Sequence, residues 1–121
     1  LTLLKIRVSL RTANPALSRQ QEMTRLLELR LQEMKYTREQ GDVHNFLAAC
    51  RKAMQEQLGL LWRTEPEAIT LADLRQHLAE EAPLLTIFAT AESSAYIGST
   101  LSHQEMADYA AQVERELRQL R

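Results

Sequence analysis

A chain of 121 residues, 45% apolar and 26% charged, is long enough to close one hydrophobic core. Three glycines and three prolines are too few for an all-β fold, which needs a turn about every 8–12 residues. Cys50 is the only cysteine, so an intrachain disulfide and a cysteine zinc site are both excluded.

The net charge of −1 conceals an asymmetry. Residues 1–21 hold Lys5, Arg7, Arg11 and Arg19 and no acid, leaving 11 basic against 16 acidic side chains in the rest. A basic lead-in suits a segment just inside a membrane, because cytoplasmic flanks of spans favour Lys and Arg. The plain alternative is a solvated leader. The uncharged stretch Ala82–Ala91 is far short of the ~20 residues a span requires, so any membrane link would come through a span missing upstream. No signal-peptide pattern opens the chain, and it starts at Leu1 rather than Met, which reads as a piece or processed product of something longer.

Leu4, Ile6, Val8 and Leu10 alternate with polar residues, the period of a strand or an extended arm. Residues 1–14 are therefore predicted as a basic extended or juxtamembrane lead-in, and 15–121 as one helical domain. Asn14-Pro15 is a helix start, with Ser18-x-x-Gln21 a second candidate. Met23, Leu26, Leu27, Leu31 and Met34 trace one face, and Gly41 stops the helix. Leu29 and Tyr36 lie off that stripe.

Asp42 caps the next helix, whose apolar face is Val43, Phe46, Leu47, Cys50, Ala53, Met54 and Leu58. Gly59 is predicted to end it. So short a link forces an antiparallel hairpin. Trp62 then follows the stop, either packed under the Arg63–Ala68 loop or part of an exposed contact patch. Thr70 starts a third helix, with Asp73 placed for a capping box and Ile69 with Leu74 for a staple. Pro83 stops or kinks it. Leu84, Ile87, Phe88, Ala91 and Ala95 continue at helical spacing to about Tyr96, and Gly98 closes that element. Ser102-x-x-Glu105 is a full capping box opening a last helix with Met106, Ala110, Val113, Leu117 and Leu120 inward. The expected fold is all-α: about five helices in a bundle beginning with a long antiparallel hairpin, with a possible extended N-terminal arm.

Residues able to carry chemistry are few. His44, His77 and His103 share no helical turn, and His103-Gln104-Glu105 lacks the P-C-x-x-C half of a deaminase signature. A metal or enzyme site would have to gather at least two of His44, His77, His103, Glu105 and Asp108. Cys50 sits on an apolar stripe and reads as packing. Ser93-Ser94 has no nucleophile elbow, and no glycine-rich phosphate loop occurs. Between Glu65 and Asp108 one basic residue, Arg75, faces eight acids, which argues against nucleic acid. The reading is a non-catalytic interaction domain with no cofactor and no metal. Trp62, Leu29 and Tyr36 are the candidate contact residues.

Two resemblances add to this. Tyr36 to Ala53, with Gly41-Asp42 at the turn, partly resembles one tetratricopeptide repeat, although Phe46 stands where that motif has a small residue and the 34-residue period does not recur. Gly41-Asp42, Phe46-Leu47, Arg51-Lys52-Ala53-Met54, Ile69-Thr70-Leu71-Ala72-Asp73-Leu74, Leu78, Ala95-Tyr96-Ile97-Gly98 and Leu101-Ser102-His103-Gln104-Glu105, in that order, are similar to the C-terminal cytoplasmic region of BatD-type proteins, the bacterial aerotolerance (oxygen tolerance) family. That resemblance implies a helical tail behind a single membrane span, on the cytoplasmic side of the bacterial inner membrane. It implies von Willebrand factor A-type and tetratricopeptide membrane proteins as partners, and carries no catalytic residues. Residues 1–40 show none of it. The alternative is a free-standing cytoplasmic adaptor or regulator of tetratricopeptide-like type.

Overall fold

The computed structural model describes residues 15–97 and 101–120. The alternating stretch Leu4–Leu10, the Asn14 cap and the Gly98 stop lie outside the described residues. The described residues are all-helical. They form α1 (Pro15–Glu39), α2 (Val43–Trp62), a 3-10 turn (Pro66–Ala68), α3 (Leu71–His77), α4 (Pro83–Ile97) and α5 (His103–Arg118).

The α1–α2 hairpin is built by its connector. Gly41 takes φ +70°, a left-handed conformation that a Cβ disfavours. The Asp42 amide then donates to the Thr37 carbonyl and the Gly41 amide to that of Arg38, both at 3.0 Å, so the last turn of α1 is satisfied as in a Schellman cap. Asp42 immediately caps α2, its carboxylate accepting from the Asn45 amide at 3.2 Å and side chain at 2.6 Å. The two helices run back along each other and make the most extensively packed pair among the described helices.

Sequence periodicity and burial coincide along α2. Phe46, Leu47, Cys50, Ala53, Met54 and Leu58 are all buried, joined by Ala49 and by Gln57, which donates to the Met23 carbonyl of α1 at 2.8 Å. On α1 the buried positions are Met23, Leu27, Met34 and Thr37. Leu74, Phe88, Ala91, Met106, Val113 and Leu117 bring the later helices into the same cluster. Burying one such leucine or phenylalanine side chain stabilises by about 1.5–3 kcal/mol, so this shared cluster is the main force holding the bundle.

α5 returns antiparallel to α1. Its first residue, His103, lies beside Gly41, and Arg118 at its far end reaches Glu28 at 2.9 Å. Both predicted capping boxes form: Thr70 with Asp73, and Ser102 with Glu105.

Two boundaries differ from expectation. Gly59 does not end α2, which runs on to Trp62. The left-handed cap is Arg63, at φ 56°, with its amide bonded to the Gly59 carbonyl. Gly59 is needed for space instead, because a Cβ there would lie 2.7 Å from the Thr64 carbonyl oxygen and 3.3 Å from Pro66. Pro83 neither stops nor kinks α3. That helix already ends at His77, and Pro83 is the first residue of α4, where its missing N–H costs nothing.

Candidate contact surface

Cys50 of α2 is fully buried, and burial pushes its thiol up, which keeps it protonated and inert. Tyr109 of α5 packs edge-on to Phe46 with ring centroids 6.2 Å apart and donates its hydroxyl to the Ile87 carbonyl of α4. Burial raises its phenol, with the neighbouring Cys50 adding to the effect.

The histidines fall in separate places. His44 is exposed on α2. His77 ends α3, with its Nδ1 3.0 Å from the Asp73 carbonyl. His103 opens α5 beside the Gly41 turn. Glu105 is held by the Ser102 amide at 2.9 Å, and Asp108 accepts from Gln104 at 2.8 Å. Among the described residues no three His, Cys, Asp or Glu side chains gather to hold a metal ion.

Trp62, one of the three candidate contact residues, is half-buried as the last residue of α2. Its indole packs on the core and stacks on His77, with ring centroids 4.1 Å apart and planes 19° from parallel. The stack ties α3 to the end of α2 and covers one indole face.

Leu29 and Tyr36 are in a different situation. They are the exposed large hydrophobics among the described residues, 49% and 64% accessible. Seven residues apart, they stand on one side of α1, two turns apart, with Gln32 between them. That side faces away from the buried positions Met23, Leu27 and Met34. A groove of about 380 Å³ between α1 and α5 flanks it, with Glu28, Lys35 and Arg38 on one wall and Ala107, Ala110 and Ala111 on the other. The Arg38 Nε is buried there without a hydrogen-bond partner. A second cleft, of about 340 Å³, opens at the start of α1 between Arg19, Met23, Leu27, Gln57, Leu117 and Leu120.

No family model, curated protein or solved structure matches the chain.

None of the described helices is long and apolar enough to cross a membrane. A pair that sequence reading passed over joins the two helices of the hairpin. Arg30 of α1 meets Glu56 of α2 through two bonds, 2.8 and 3.0 Å, with the side chains only 19% and 13% exposed. The hydrogen bond that Arg30 donates to the Glu56 carboxylate raises the already basic guanidinium further. The signal was present: Arg30 is three residues after Leu27 and four before Met34, on the edge of the buried stripe.

Proposed function

We propose that this chain is a non-catalytic protein-contact domain, the cytoplasmic tail of a single-span bacterial membrane protein of the aerotolerance type, and that the outer side of α1 is its contact surface. The observation that carries the contact reading is the placement of Leu29 and Tyr36. Every other large apolar side chain described is at least partly withdrawn into the bundle, while these two stand in water on one helical side. Leaving apolar area wet on a rigid helix is the pattern of a surface that a partner covers. The membrane assignment is supported by the BatD-like order of short motifs and by the basic residues ahead of α1. Trp62 contributes at most the indole face that His77 leaves open.

The alternative is a free-standing tetratricopeptide-like adaptor, which the α1–α2 hairpin favours. Affinity capture from a bacterial membrane fraction separates the two. The tail reading expects von Willebrand factor A-type or tetratricopeptide membrane proteins on the wild-type chain, and their loss on a Leu29→Ser/Tyr36→Ser variant. Recovery of soluble proteins alone would replace it with the adaptor reading. Recovery that the double variant does not change would remove α1 as the surface.

A further inference from the structure

We infer that the outer side of α1 pairs with the same side of a second copy of this chain, antiparallel, about a two-fold axis at Gln32. The inference rests on the reading of α1 as the contact surface and names one partner for it. The stripe reads Arg25, Glu28, Leu29, Gln32, Lys35, Tyr36 and Glu39. Its spacing of three and four residues continues over four turns, and every member is exposed.

The stripe is complementary to itself when reversed. Turned about Gln32, Arg25 comes opposite Glu39 of the other copy, and Glu39 opposite its Arg25. Glu28, which also accepts from Arg118 of its own α5 at 2.9 Å, comes within reach of Lys35, again twice. Leu29 meets Tyr36 twice across the axis, so the two large apolar side chains exposed among the described residues of each copy cover those of the other. Glu28 and Lys35 lie on the same flank of α1, the flank that antiparallel helices bring together. A two-fold contact requires this self-complementarity, and an arbitrary polar helix side does not provide it. One like-charge contact is left near the axis, Glu33 beside its own counterpart, and Arg30 at 3.6 Å offsets it. Arg25 already donates to Glu22 of its own helix, from Nε at 3.3 Å and Nη2 at 2.6 Å, so the contact with Glu39 is one in which a guanidinium is shared between two carboxylates.

A single helix side is small, so the association is weak and concentration-dependent. The charges fix orientation more than affinity.

Sedimentation over a concentration series, together with oxidative cross-linking, tests it on the full chain. The wild type is expected to pass from monomer to dimer as concentration rises. Arg25→Glu and Glu39→Arg should each weaken the dimer about tenfold, since both symmetric pairs turn repulsive. An equimolar mixture of the two variants should recover it, because each copy then supplies the charge the other lacks. Gln32→Cys should oxidise to a covalent dimer, while Arg25→Cys should not, because position 25 does not meet itself; buried Cys50 stays silent in both. These substitutions are on exposed positions, and a circular-dichroism melt confirms that each variant folds. A chain that is monomeric throughout, or a dimer indifferent to both charge reversals, would overturn the pairing. Loss of membrane partners on Leu29→Ser/Tyr36→Ser in a monomeric chain would still uphold the contact surface, so the two proposals fail separately.

Discussion

At Gly59 and Arg63 the usual roles of glycine and a side-chained residue are exchanged. The glycine sits inside α2, where the Thr64 carbonyl presses close, and the arginine takes the left-handed cap. Gly59→Ala would push a methyl group against backbone rather than against a movable side chain. A loss of about 1–3 kcal/mol is expected, although alanine is the better helix former. Arg63→Gly should instead gain up to about 1 kcal/mol, because a left-handed residue with a Cβ is strained by roughly that amount. Urea denaturation of the two variants checks both signs. Asp42 gives a prediction in pH. Hydrogen bonds from Asn45, the backbone one foremost, hold its carboxyl below the usual range. Its folded value is therefore below its unfolded one. The stabilisation is complete above the ordinary carboxylate range near pH 4 and is lost as pH falls through the depressed folded value. Asp42→Asn keeps a capping oxygen and removes the proton. The gap between wild type and this variant should close on acidification below about pH 4, and parallel stability curves would contradict the assignment.

Each helix was legible where a cap and a periodic stripe agreed. Ser102 with Glu105 and Thr70 with Asp73 fixed two helix starts to the residue, because a capping box is a local bond pattern. Phe46 through Leu58 were legible as core because their spacing requires one buried side. The end of α2 was not, because glycine serves both left-handed turns and close approach, and only the returning loop decides which. Gln57, Thr37 and Arg30 were also hidden. A polar residue at the edge of an apolar stripe shows no partner until the neighbouring helix is in place. Arg30 and Glu56 supply the measurement at this scale. Their bidentate, largely buried bond joins the middle of α1 to the latter half of α2. A double-mutant cycle with Arg30→Ala and Glu56→Ala should give a coupling on the order of 1 kcal/mol, above the usual surface pair. Glu56→Ala alone should cost more, since it leaves a mostly buried guanidinium unpaired. A coupling indistinguishable from zero would mean that apolar packing alone sets the hairpin register.

For the whole molecule, the balance between inner and outer apolar residues carries the functional reading. Helices α1 to α5 direct their stripes into one shared cluster, so the interior is given over to packing and Cys50 and Tyr109 are held neutral within it. The candidate surface was only partly legible. Leu29 and Tyr36 were visible as off-stripe positions on α1, whereas the withdrawal of Trp62 into a stack with His77 depends on where α3 returns to α2. The claim that contact surface and core are separate is tested most directly by the Leu29→Ser/Tyr36→Ser variant, read by thermal unfolding and membrane-fraction binding on the same preparation. The account predicts an unfolding midpoint within a degree or two of wild type, since exposed substitutions change stability by no more than about 0.5 kcal/mol, together with loss of bound partners. A variant that melts well below wild type, or one that binds as before, would contradict it.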